Sequence, residues 1–181
     1  MAAEQFDDFD SFPNLVSMFL ARARYRGDAP FLWAKKAGKW QSLSWAEVAR
    51  QVCCLAESLR AMGLKDGDRV MLVSENRPQW CIADFAIMAA GCITVPAYVT
   101  NTERDHTHVL ENSGARAAIV SDAKLAKTLL PAALAILTLP LLLARLRPQS
   151  RSSAWPCGHH RSRHHRRRAA MSHRCRRQLG G

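Results

Sequence analysis

The chain has 181 residues, six cysteines and a formal net charge of +11, a length that allows one domain with a proper core. From Met1 to Ala144, 15 Lys+Arg are balanced by 15 Asp+Glu; from Arg145 onward there are 11 Arg, five His and no Asp, Glu or Lys. The whole excess belongs to the tail, which excludes a basic domain as the reading of the first 144 residues and marks two regions of different origin or duty.

The opening "MAAEQFDDFDSFPNL" is acidic and has no basic region leading into an apolar one. No secretory signal is expected, and the default compartment is the cytoplasm. From Asn14 to Arg26, Leu15, Met18, Phe19 and Ala23 share one helical face and predict a first helix. "PFLWAKKAGKWQSLSW" then reads as a hairpin turning at Ala37-Gly38. Ser44 with Glu47 makes a capping box, and Val48, Val52, Leu55, Leu59 and Met62 continue at helical steps to a stop at Gly63. "LKDGD" is a turn, and Arg69–Ser74 is a short apolar strand suited to burial on both faces.

In "SENRPQW", Asn76 is the expected cap of the next helix, with Pro78 in the first turn where its missing N–H costs nothing. That helix should run to about Ala90, with Gly91 stopping it. "CITVPAY" is a second buried strand, Thr102 with Asp105 caps another helix ending near Gly114, and "ARAAIVSD" is a third strand. Strand, helix, strand, helix, strand predicts a parallel sheet with right-handed crossovers, built from Arg69–Ser74, Ile93–Ala97 and Ala117–Ser121. The elbow Ser74–Trp80 then lies at the carboxyl end of a parallel strand, where open α/β sheets place ligands; on local physics alone the preferred reading is a well-capped helix start, with Trp80 packing the first turn. The six cysteines (Cys53, Cys54, Cys81, Cys92, Cys157, Cys175) form no CxxC pair and are expected as small buried hydrophobes in a reduced protein.

The run "GDRVMLVSENRPQWCIADFAIMAAGCITVPAYVTNT", followed by "HVLENSGARAAIVSD" and preceded by "FLWAKKAGKWQSLSWAEV", closely resembles the N-terminal part of long-chain acyl-CoA synthetases, of the AMP-forming adenylate superfamily. The resemblance extends from about Leu15 to about Pro131 and rests on the SENRPxW elbow with VPxYxT two elements later. It implies the α/β fold of the adenylate-forming enzymes, here a partial N-terminal domain. It also implies an activity that joins a fatty acid to ATP, releases pyrophosphate and transfers the acyl group to coenzyme A, with Mg²⁺ and a lysine stabilising charge.

The family's Gly/Ser/Thr-rich phosphate loop, adenine- and Mg²⁺-binding segment, hinge and lysine-bearing small domain do not occur in this chain. Its nine glycines (Gly27, Gly38, Gly63, Gly67, Gly91, Gly114, Gly158, Gly180 and Gly181) form no cluster that could cradle phosphates. The two carboxylates of Asp66-Gly67-Asp68 would repel a triphosphate. No catalytic, cofactor-binding or metal-binding residue is therefore assigned, and ATP, Mg²⁺ and coenzyme A are cofactors of the intact family that this chain is not expected to retain.

"SDAKLAKTLLPAA" still fits a helix, after which the family's pattern breaks into "LAILTLPLLLARLRPQSRSSAWPCGHHRSRHHRRRAAMSHRCRRQLGG". The expected division is residues 14–131 as a truncated AMP-binding domain and 132–181 as an apolar segment with a disordered Arg/His-rich tail, produced by a changed reading frame near Pro131–Ala135. Three other readings of this end compete with that one. Thr128–Ala144 holds 17 uncharged residues, about 25 Å as a helix against a hydrocarbon core of about 30 Å, and contains Pro131 and Pro140. The arginines suit phosphates or anionic lipid, but Trp155 is the tail's one aromatic, so no specific nucleic acid is expected. Cys157, His159, His160, His164, His165, His173 and Cys175 have zinc-binding atoms without the spacing of a finger. The expectation is a fragment inactive by itself. The alternative is a membrane-associated or nucleic-acid-binding basic protein.

Overall fold

The structure, a computed structural model, describes residues 9–136, which divide after Cys54 into two compact units. The expected tail disorder, the Cys/His set and most of the 132–181 region lie outside the described residues.

In the first unit α1 (Leu15–Arg26) is capped by Asn14, whose side chain accepts from the Ser17 N–H at 2.9 Å. Its buried residues are Phe19, Leu20 and Ala23, while Leu15, in the first turn, is exposed rather than on the buried face. β1 (Pro30–Lys36) and β2 (Lys39–Ser44) form the expected antiparallel hairpin, in a sheet of their own. Ala37 (φ 49) and Gly38 (φ 79) make its turn. Phe31 stacks on Trp45 with ring centroids 3.6 Å apart, and Phe19 lies 6.0 Å from both. The Trp45 and Ala46 N–H groups donate to the Ala29 and Gly27 carbonyls, so the start of α2 (Trp45–Ala61) is held against the link from α1 to β1. The Ser44–Glu47 capping box is present in both directions, at 2.9 and 3.2 Å.

The second unit holds β3 (Arg69–Val73), α3 (Pro78–Ala89), β4 (Ile93–Ala97), α4 (Glu103–Ser113), β5 (Ala117–Val120) and α5 (Ala123–Ile136). The three strands form a parallel sheet in the order β4-β3-β5, with Val73 level with Ala97 on one side and Val120 on the other. The strands thus fall where hydrophobic period places them, as do the helices apart from the start of α3. Met71, Val73, Ala118 and Val120 alternate onto one face and pack with Leu110 of α4 and Leu125, Ala126, Leu129, Ala132 and Ala133 of α5. Val70 and Leu72 lie on the opposite face; α3 packs on β3 and β4 there, as right-handed crossovers in opposite directions require. Helix α5 continues through Pro131 to Ile136. Among the described residues no helix is long and apolar enough to cross a membrane.

Candidate functional site

Parallel α/β sheets present their strand carboxyl ends to ligands, and two of those ends here carry the same dipeptide pattern, a serine followed by an acid. Ser74-Glu75 follows β3 and Ser121-Asp122 follows β5. Register sets them side by side: the Ser121 N–H donates to the Val73 carbonyl at 3.1 Å, and the Ser121 hydroxyl donates to Glu75 Oε2 at 2.7 Å. Both serines are buried. The Ser74 hydroxyl donates to the Glu75 carbonyl at 3.0 Å, and Arg77 Nη1 stands 3.9 Å from Glu75 Oε2. Glu75 thereby ties the two strand ends together. This tie was not foreseen; the repeated serine–acid pattern at strand ends was the available signal.

The helix starts along this edge differ in their chemistry. At α5, Asp122 Oδ1 accepts from the Lys124 and Leu125 N–H groups at 2.8 and 2.9 Å. The Leu125 N–H first, then that of Lys124, holds its carboxyl below the usual aspartate range. At α4 the Thr102–Asp105 capping box forms as expected, and the Thr102 backbone and hydroxyl donors lower Asp105 likewise. At α3 the expectation is corrected. Arg77, not Asn76, occupies the cap position, extended at φ −152 and ψ 158, with no side-chain cap. Pro78 is the cause: it drives the preceding residue out of helical geometry, which sets the helix start one residue beyond Asn76. Two of the three helix starts are therefore already occupied by carboxylates. The third stands beside Glu75, so this edge repels rather than cradles a polyphosphate.

The opposite, amino-terminal edge is structural. Asp68 accepts from the Lys65 N–H at 2.8 Å and from Arg116 Nη1 at 3.1 Å, which lowers its pKa against an opposing burial cost. Arg69 donates to the Ser113 and Gly114 carbonyls at 2.9 and 3.0 Å. Asp66 pairs with Arg60 at 2.9 Å. The Asp66–Asp68 turn is thus spent on tying the sheet's lower edge. Burial pushes the thiols of Cys81 and Cys92 up, leaving them poor nucleophiles at neutral pH. Among the described residues no group of three His, Cys, Asp or Glu could hold a metal ion. Their glycines stand singly at turns.

A family model described as AMP-binding enzyme matches residues 19–166, running past the boundary drawn at 131. The chain is 41% identical over 102 residues to the long-chain-fatty-acid–CoA ligase FadD15 of Mycobacterium tuberculosis, covering 56% of this chain and 17% of that protein. It is 34% identical over 105 residues to the human mitochondrial acyl-coenzyme A synthetase ACSM5, covering 57% and 18%. The chain thus spans about a sixth of these relatives. Its fold is similar to that of the fatty acid AMP ligase of Legionella pneumophila, with TM-score 0.60 at 20% identity over 70% of this chain and 22% of that one. It is also similar to the NpsA N-terminal subdomain of Klebsiella oxytoca, with TM-score 0.55 at 27% identity over 61% and 27%.

Proposed function

This chain belongs to the AMP-binding enzymes, and on that premise we propose that it is the opening part of a ligase that joins a long-chain fatty acid to ATP and passes the acyl group to coenzyme A. The observation that carries this reading is the 41% identity with a long-chain-fatty-acid–CoA ligase, against 34% over a similar length with the ACSM5 synthetase. The alternative of a basic protein acting through its arginine tail gains no support from the comparisons.

Within that enzyme the part played by residues 9–136 is architectural. They supply the central strand β3, its two neighbours and a carboxyl edge whose serines and acids are engaged with one another. Adenylation needs the α-phosphate of ATP held in line with a carboxylate, and misplacement alone costs orders of magnitude in rate. Electrostatic attraction of ATP to the tail arginines that is equal for substrate and transition state does not accelerate the chemical step. We therefore assign no catalytic residue and propose that the chain of 181 residues is inactive alone, with the cytoplasm as its setting.

Two measurements test this. Purified chain with Mg²⁺-ATP, palmitate and coenzyme A should release no pyrophosphate and form no acyl-CoA above a tail-deleted control, with a full-length synthetase as positive control. Turnover above that control overturns the claim of inactivity. The DNA immediately downstream should encode, in some frame, a Gly/Ser/Thr-rich phosphate loop and a hinge; their absence overturns the ligase reading itself.

A further inference from the structure

The hairpin of the first unit carries a surface that the ligase reading does not use. Cross-strand pairing sets Trp33 opposite Ser42 and Lys35 opposite Trp40, so Trp33, Lys35, Trp40 and Ser42 share one face. The two indoles are 55% and 67% exposed. On the other face Leu32 and Leu43 are half-buried, while Lys36 and Lys39 flank the turn and are exposed. Within "WAKKAGKW" there are thus two outward tryptophans and three lysines, and no acid occurs between Asp28 and Glu47. Single exposed apolar residues are ordinary, but two indoles on one strand face, with Lys35 on that face and Lys36 and Lys39 exposed beside the turn on the other, are not scattered singly.

We propose that this hairpin docks on an anionic bilayer, with Trp33 and Trp40 seated at the headgroup level and Lys35, Lys36 and Lys39 meeting the lipid phosphates. Indoles favour the membrane–water interface because one edge is apolar and the other donates a hydrogen bond. Charge complementarity selects an anionic surface, and the cations are lysines rather than arginines. A lysine ammonium is a point charge suited to a diffuse surface potential, whereas the planar fork of arginine suits bidentate contacts to individual phosphates and bases. The choice of a bilayer over a single-stranded polynucleotide also rests on the fatty-acid reading above, since a long-chain fatty acid partitions into bilayers.

The test uses the full chain and vesicles of phosphatidylcholine with or without phosphatidylglycerol. Binding is expected to the mixed vesicles and not to phosphatidylcholine alone. Replacing the three lysines together (Lys35→Gln, Lys36→Gln, Lys39→Gln) should weaken it roughly a hundredfold, at about fivefold per lysine near the surface. Bromine-labelled acyl chains should quench tryptophan emission, and Trp33→Phe with Trp40→Phe should remove that quenching while circular dichroism stays unchanged. Adsorption through the arginine tail would leave affinity and quenching the same in both variants and would overturn the proposal. So would hairpin-dependent binding to a single-stranded oligonucleotide with vesicle binding unaffected. No ligase activity is read here, so failure leaves the fatty-acid reading standing, while a missing downstream phosphate loop removes that reading alone.

Discussion

Ala37 is the one described non-glycine residue with positive φ. A two-residue hairpin turn with both central residues at positive φ is favoured because its twist matches that of the strands, but it asks of Ala37 a conformation costing about 1 kcal/mol. Ala37→Asn should therefore raise stability by about 0.5–1 kcal/mol, read as a higher urea midpoint at unchanged slope. The turn was legible because Gly38 advertised it; the strain at its neighbour was not. His106 presents the reverse case. It is fully buried in α4, and neither ring nitrogen has a hydrogen-bond partner. Burial depresses its pKa below the ordinary 6.5, with Asp105 opposing. Above that value the ring is neutral in both states and the native state keeps its full stability. As pH falls through 6.5 toward the lower folded pKa, the unfolded chain takes the proton first and stability is lost. The urea midpoint should fall between about pH 7 and about pH 5, and His106→Leu should flatten that dependence. Its position was readable from the four-residue step to buried Leu110, whereas His108, off that step, is exposed.

At the level of elements, α5 carries its own flaw. Pro131 lies inside the helix and is exposed, so it donates no N–H to the preceding turn and crowds the carbonyl there. Pro131→Ala loses no burial and should stabilise the chain by about 1–3 kcal/mol, measured as a rise in the thermal midpoint. The apolar periodicity predicted a helix here despite the proline, and Leu125, Ala126, Leu129, Ala132 and Ala133 show why it persists: all are buried in one core. Strands and capping boxes were legible because their signals span four to eight neighbouring residues. The α3 start was misread because two local rules competed, asparagine's liking for cap positions and proline's constraint on its predecessor, and the proline prevailed. The Glu75–Ser121 tie escaped for another reason. Its partners stand 46 residues apart, and only the register of β3 with β5 brings them together.

For the whole molecule, the exposed side of the sheet is β4. Ile93 is 54% and Tyr98, just beyond the strand, 80% exposed, with Val99 beside it also open. Pro96, level with Leu72, withholds an N–H from that strand, which blunts pairing with another chain without covering the apolar surface. The purified chain should bind the dye ANS and aggregate with rising concentration; a sharp, reversible, monomeric unfolding transition with no dye binding would contradict this. The order β4-β3-β5 has a further consequence, for synthesis. The central strand is made before either neighbour, so a ribosome delivers the buried run Val70–Val73 with no partner. Its first ladder waits for Ala97 to leave the exit tunnel and its second for Val120. Until then the most hydrophobic strand of the sheet is open to whatever waits at the tunnel mouth, and slower translation between Val73 and Ala117 lengthens that interval.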